Sequence, residues 1–434
     1  MILERLRGLL LPFIVASAGL FLGLAPGVLE TGQVRPLDWL LPAGAVLALL
    51  CFTARDRLKG RRMAVCWALV ALPPLLLCVR AGTRMAWGEA LAFAGLLALA
   101  AGMFRWTMAR SRRAAMVTAL LALGVLGGVQ AAATLRGGGW RGAAPGDPAL
   151  GIMSALPLFR DHGAEAGLLN VGGQAPLLRA LPFSSVPLDR LDAGALERVK
   201  SLLLIQPRLL RPEELVALDA WVRAGGHAVI LADPLLRWPD PRPIGDPGRA
   251  PLTSLLDPLL THWGLALEPA HADAGPVTRH VLDDGTLLQL AGASQFTRLP
   301  GSSCMLAARG LRADCGIGRG RTILVADADW VDDRLWTLDP ARPDHVRGWT
   351  SDAVPLLTAL LRAAPVTSGR SWLVSQEALV AALRWALALI LLLGLLLPRT
   401  ARNPNSTHDP PGSDGCGTAN DAGCSPDSGQ GNPA

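Results

Sequence analysis

The sequence predicts an α-helical polytopic membrane region joined to a soluble, three-layer α/β domain with an antiparallel insertion. Three observations predict it. Apolar residues make up 51% of the 434 residues, and they gather in five blocks before residue 136 and one after residue 377. Mean hydropathy is +0.35, above what a soluble protein usually carries. Between the two apolar zones lies "PEELVALDAWVRAGGHAVILAD", an amphipathic helix pattern followed by a strand-length apolar run.

The apolar blocks cover residues 8–28, 39–54, 63–79, 90–104, 115–135 and 378–398. A spanning helix needs about 20 such residues, so the second and fourth depend on their neighbours to cross. Pro73 and Pro74 predict a kink in the third. Arg5 and Arg7 precede the first block as in a secretory signal, but no small-residue cleavage site follows, so a retained signal anchor is expected. Arg384 falls inside the sixth block, where snorkelling beside Trp385 to the interface accounts for it.

Orientation follows from the basic residues of the short loops. With a cytoplasmic N-terminus, that side receives Arg5, Arg7, Arg55, Arg57, Lys59, Arg61, Arg62, Arg105, Arg110, Arg112 and Arg113, against Arg35, Arg80 and Arg84 on the other. Eleven against three is a strong positive-inside bias. It predicts a bacterial inner-membrane protein with cytoplasmic N-terminus and tail, and with residues 136–375 outside the cytoplasm. The excess of 41 basic over 35 acidic residues thereby finds a membrane explanation, and no nucleic-acid partner is implied.

The expected organisation is a membrane region over 1–135, a Gly-rich linker over 136–148, an α/β domain over 149–375, a final span over 376–398 and a disordered tail over 399–434. The tail is rich in Pro, Gly, Ser, Asn and Asp and has no apolar periodicity. His408, Cys416 and Cys424 within it match no zinc spacing.

Within the domain, "ALGIMSALPLF" (149–159) and "SLLLIQP" (201–207) read as strands. Pro212 suits a first helical position, and Glu213 and Glu214 suit the positive end of the helix dipole. Leu215, Leu218 and Val222 recur at helical spacing and predict the buried face; Gly225 and Gly226 stop the helix before the strand "HAVILAD". Strand, helix and strand make a right-handed parallel crossover. A Pro-rich loop over 234–251, a helix over 252–264, a hairpin over 279–290 turning at Asp284-Gly285, further paired strands, and a serine-capped helix over 351–364 complete the reading.

The stretch "LLLIQPRLLRPEELVALDAWVRAGGHAVILADP" is similar to a pattern in auxiliary membrane proteins of ABC-type export and gliding-motility systems, and in extracytoplasmic domains of the class I amidotransferase-like superfamily. "GRGRTILVADADWVDDRLW" and the helix after it resemble that group's closing strand and helix. The resemblance spans roughly residues 149–364. It implies a Rossmann-like, amidotransferase-like fold and an ABC ATPase and permease as partners, beside the lipid bilayer. Those auxiliary proteins usually carry one membrane helix before the soluble part; five precede it here.

Catalysis requires more than the sequence offers. The turn after "SLLLIQ" is Pro207-Arg208-Leu209, which lacks the nucleophile of an amidotransferase. Cys304 and Cys315 are expected to form a disulfide in an oxidising compartment. The acids Asp233, Asp327, Asp329 and Asp332 end apolar strands, where open α/β sheets bind ligands. "DADWVDD" resembles the DxD start of haloacid-dehalogenase-type phosphatases, but Trp330 follows and Lys200, the domain's lysine, lies upstream. The acids are read either as ligands for a hard divalent cation or as strand-end caps and partners of Arg334. His162, His227, His262, His271, His280 and His345 are dispersed, and neither a Walker nor a G-x-S-x-G motif occurs. No catalytic residue and no cofactor are assigned. The expected function is a non-catalytic auxiliary component of an ABC-type transport or envelope system. The alternative is an envelope enzyme or small-ligand sensor built on Asp327 and Asp329.

Overall fold

The computed structural model describes residues 2–53, 60–136, 139–159, 173–269, 277–292, 294–366 and 369–397. The expected tail, with His408, Cys416 and Cys424, lies outside them, as do Arg55, Arg57, Lys59, His162 and His271.

The chain opens with α1 (Ile2–Leu22), α2 (Leu40–Thr53), α3 (Gly60–Ala81), α4 (Trp87–Met108) and α5 (Arg112–Arg136). A π-helical turn (Ala25–Leu29) and a 3-10 turn (Pro36–Trp39) join α1 to α2. The second apolar block gains length from that 3-10 turn, giving an 18-residue apolar stretch from Pro36 to Thr53, and the fourth runs for 22 residues, Trp87–Met108. Both therefore reach spanning length. Pro73 and Pro74 sit inside α3, and helix continues on both sides of them. Trp39 anchors the bundle core: it is 1% exposed, and its indole N–H donates to the Leu20 carbonyl at 2.8 Å. Gly23 is what admits it, because a Cβ there would lie 2.1 Å from the indole ring.

The α/β domain follows as β1 (Ala149–Ser154), α6 (Pro176–Ala180), β2 (Ser184–Pro187), α7 (Ala193–Glu197), β3 (Ser201–Ile205), α8 (Pro212–Arg223), β4 (His227–Leu231), α9 (Asp257–His262), β5 (Leu265–Glu268), β6 (Thr278–Val281), β7 (Leu287–Leu290), β8 (Gln295–Arg298), β9 (Met305–Ala307), β10 (Arg312–Ile317), β11 (Gly320–Val325), α10 (Asp333–Trp336) and α11 (Ala353–Arg362). Seven strands form one sheet in the order β2-β1-β3-β4-β11-β10-β9. β2, β1, β3, β4 and β11 are parallel, while β10 and β9 are antiparallel additions at one edge. The pairs β5–β8 and β6–β7 stand apart from this sheet, the latter being the expected hairpin, with Gly285 at φ +79 in its turn.

Strand alternation builds a core on each face of the sheet. Leu203, Ile205, Val229, Leu231, Ile323 and Val325 point to the face covered by Leu356, Leu357, Leu360 and Leu361 of α11. Leu202, Leu204, Ala228, Ile230 and Leu324 point to the other, covered by Leu218 and Val222 of α8. Burial of both faces is why these parallel strands read as continuous apolar runs. In α8, Leu215 is half-buried, and the third residue sealed in beside Leu218 and Val222 is Glu214, at 6% exposure. Gly225 takes φ +117 after α8, a conformation that strains any other residue.

Three expectations shift. The helix expected over 252–264 is confined to Asp257–His262, because Pro258 is tolerated only in a first turn. α11 is not capped by a serine: its N-cap is Asp352, whose carboxylate is engaged elsewhere. The expected linker is docked, since Trp140 packs on Trp349 and its indole N–H donates to the Ala180 carbonyl at 2.8 Å.

The last described helix, α12 (Gln376–Leu396), packs against α3 and α1. Six helices in all, among the described residues, are long and apolar enough to cross a membrane. Residues 371–374 form an extended clasp between two loops of the bundle. Val34 and Thr83 donate backbone N–H groups to the Ser371 and Trp372 carbonyls, and Leu373 and Val374 donate to those of Gly32 and Ala81, all at 2.8–2.9 Å. Gln33 adds side-chain bonds to the carbonyls of Val346 (2.9 Å) and Trp349 (3.0 Å), and Arg347 pairs with Asp38 at 2.9 Å. The bundle and the sheet domain are thus one body joined through buried polar contacts.

Candidate functional site

β3, β4 and β11 end side by side, with Ile205 opposite Leu231 and Leu231 opposite Val325. Two residues beyond Leu231 and Val325 come Asp233 and Asp327, so parallel register alone brings these two carboxylates together. Asp329 joins them from a 3-10 turn (Asp329–Val331) that starts where the chain leaves β11. One carboxylate oxygen from each of the three lies within 4.8 Å of the others, and all three residues are buried, at 0, 0 and 2% exposure.

Backbone N–H groups fix the orientation of each acid. Asp233 accepts from Leu235 (2.7 Å) and Ala328 (3.1 Å), Asp327 Oδ1 from Trp330 (3.1 Å), and Asp329 Oδ2 from Arg237 (2.7 Å). Asp327 Oδ2 is buried with no partner. Burial raises Asp233 to about 6, working against its backbone hydrogen bonds. Burial first, and then the charges of Asp233 and Asp332, raise Asp329 to about 7. Asp327 is pushed well above the ordinary carboxylate range by burial and by its two acidic neighbours. Desolvation and like charge act in the same direction here.

Gln206 is a residue beside this site that sequence reasoning missed. It directly follows β3 and is fully buried at φ 41, a left-handed conformation unusual outside glycine. Its amide pairs with the backbone of residue 233, with Oε1 accepting from the Asp233 N–H and Nε2 donating to the Asp233 carbonyl, both at 2.9 Å. Nε2 also donates to Pro251 at 3.0 Å, which ties down the end of the Pro-rich loop. The available signal was a polar residue closing an apolar strand.

Asp332 does not join the three-acid group. It caps α10, accepting from the Arg334 N–H at 3.0 Å, and forms an ion pair with the Arg334 side chain. It borders a cavity of about 170 Å³ whose other walls include Leu158, Leu177 and Trp238. The cavity touches the segment that leaves β1, next to the point where the strand order reverses between β1 and β3, the usual place for ligands in such sheets. Arg237 and Trp238 also border a wider, open depression under the Pro-rich loop. Arg237, which lines that depression, is joined to the three acids by its N–H bond to Asp329.

The remaining candidates sit elsewhere. Cys304 and Cys315 are joined by a disulfide that ties the start of β9 to β10 at the sheet edge. His227 bonds the Leu360 carbonyl, and His262 lies against Arg223 and Asp219. Among the described residues, Asp233, Asp327 and Asp329 are the group placed closely enough to hold a metal ion.

No family model matches the sequence, and no curated protein matches it. Among solved structures, an exo-β-1,4-mannosidase from Opitutaceae bacterium strain TAV5 is similar at 14% identity over 49% of this chain and 37% of its own, with TM-score 0.26. A cytoplasmic protein of Salmonella typhimurium LT2 is similar at 9% identity over 50% of this chain and 98% of its own, with TM-score 0.29. The β-galactosidase of Bacillus circulans sp. alkalophilus follows at 12% identity over 35% and 23%, with TM-score 0.22. Likenesses this weak decide neither fold family nor activity.

Proposed function

We propose that the chain is a multi-pass component of a bacterial cytoplasmic membrane that holds its α/β domain outside the cytoplasm. There the domain binds a partner or ligand for an ABC-type transport or envelope system, without chemistry of its own. The observation that carries this reading is the joint between the two regions. The sheet domain sits against the loops around Gln33 and Thr83, at the bundle end where the basic loop residues are Arg35, Arg80 and Arg84. The crowded arginines, Arg105, Arg110, Arg112 and Arg113 among them, belong to the opposite end, which the positive-inside rule assigns to the cytoplasm. The outward face of the bundle supports a lipid setting, since Leu91, Leu99, Leu120, Leu121 and Leu396 are all more than half exposed. A domain clamped to its helices through buried polar contacts is suited to presenting a binding surface at a fixed height above a membrane partner.

Both halves of the reading are testable. Ile244→Cys places a thiol on an exposed loop of the domain. An impermeant maleimide should label it in spheroplasts without permeabilisation; labelling only after lysis overturns the orientation. Native-level purification in mild detergent should retain an ATPase and a permease in stoichiometric amounts. Recovery of the chain alone under cross-linking conditions removes the transport assignment.

A further inference from the structure

We propose that Asp233, Asp327 and Asp329 form a binding site for one hard divalent cation of calcium's size, built into the C-terminal ends of β4 and β11. The site stands independently of the transport reading. Its geometry is the first support: three carboxylate oxygens within 4.8 Å of one another fit around an ion whose bonds to oxygen are about 2.4 Å. Magnesium dehydrates reluctantly and is usually held by one or two carboxylates with several waters, so three buried carboxyl groups favour calcium.

The second support does not depend on the clustering. Asp327 Oδ2 is a fully buried carboxyl oxygen without a hydrogen-bond partner, in a fold that supplies backbone N–H groups to Asp327 Oδ1 and to both neighbouring acids. A buried acceptor left out of such a network is the vacancy in donors that a cation satisfies. Three carboxyl groups face one another, and the charge of Arg237 reaches Asp233 and Asp329; a divalent ion would displace the protons that burial and mutual repulsion retain on them. Asp332 is taken up by Arg334 and stays outside the ligand set. Because the backbone holds each carboxylate in place, and Gln206 holds the residue-233 backbone, the ligands are positioned before the ion arrives.

The rival arrangement is a proton shared between Asp327 and a neighbouring acid, and one experiment separates the two. The full-length protein in detergent is stripped with EDTA, dialysed and titrated with Ca²⁺ while its melting temperature and heat of binding are followed. One ion should bind per chain, and at a hundred times Kd the folded-to-unfolded ratio should rise about a hundredfold. Mg²⁺ should act more weakly. Asp327→Asn and Asp329→Asn should abolish the rise, whereas Asp339→Asn, which removes a surface partner of Arg342, should retain it. Terbium covers the case in which the variants do not fold. In the unaltered protein, Tb³⁺ emission excited through tryptophan should appear, with Trp330 beside the site, and Ca²⁺ should compete it away. A stripped protein that gains no stability from Ca²⁺, Mg²⁺ or Mn²⁺ and sensitises no Tb³⁺ overturns the proposal and leaves the shared proton. Undiminished binding in a folded Asp327→Asn variant overturns it as well.

Discussion

Asp352 and Asp327 are both completely buried, yet their surroundings are opposite in kind. Asp352 stands at the joint between domain and bundle and is saturated. Its Oδ2 accepts from the Trp372 indole at 2.6 Å and the Leu287 N–H at 3.0 Å, and its Oδ1 faces Arg370 at 3.2 Å. Asp327, at the free end of the sheet, has the backbone N–H groups of Trp330 and Asp329 and two acids for company. A buried charge that is fully partnered holds a structure together, whereas one that is under-partnered is held by the structure around it. Asp352 is therefore an architectural device, whereas Asp327 leaves one buried oxygen without a partner.

Substitutions should expose that difference. The largest effect is expected from Asp352→Ala, which strands the Arg370 charge and the Trp372 indole in the interior. A loss of about 3–5 kcal/mol is expected, read as a fall in melting temperature of the detergent-solubilised protein. An unshifted melt would erase the contrast. Next comes Arg347→Met, which leaves Asp38 buried without its guanidinium at the same joint. The expected cost is about 2–3 kcal/mol, with faster proteolysis between α12 and the domain than in the parent protein.

Glu214 supplies a third case, with a pH signature. The Arg208 guanidinium, aided by the backbone N–H groups of Arg211 and Leu191, overcomes burial and holds its carboxyl at about 2, below the 4.5 of a free glutamate. A depressed folded value contributes stability that is complete above pH 4.5 and is lost as pH falls towards 2. Because Arg208 is 41% exposed, solvent discounts the contribution to about 1–2 kcal/mol. Glu214→Gln should flatten that part of the acid limb in a pH series of melts, and an unchanged limb would remove Glu214 from the saturated class. The smallest change is expected from Asp327→Asn in cation-free buffer. The amide oxygen keeps the Trp330 bond and replaces a carboxyl that burial and its acidic neighbours hold in the neutral form, so stability should stay within about 0.5 kcal/mol. A collapse comparable to that of Asp352→Ala would make Asp327 structural after all.

The local parts of this architecture were legible in advance. Pro212 and the Gly225-Gly226 pair bracketed α8, Asp284-Gly285 marked the hairpin turn, and the apolar blocks matched six helices to within a few residues. Asp233, Asp327 and Asp329 were singled out because carboxylates that end apolar strands stand out in one dimension. What escaped depends on partners distant in sequence. Asp38 and Arg347 are 309 residues apart, and neither advertises the other. Glu214 read as an acid suited to the helix dipole, without a sign that its oxygens reach Leu191 and Arg208. Gln206 carries a backbone angle that composition assigns to glycine. Asp332 shows the converse limit, since standing next to the right residues in sequence did not bring it into their cluster.

The clasp at residues 371–374 also orders the chain in time. Its partners lie around Val34 and Thr83, and the helix it introduces fills a groove on α3 and α1. The groove is synthesised early, and its occupant emerges only after the whole sheet domain has left the ribosome. For that interval the inner faces of α1 and α3 wait uncovered, and the bundle closes when the folded domain hands over Trp372. Closure of the bundle therefore comes last in synthesis, after every strand of the sheet has been made.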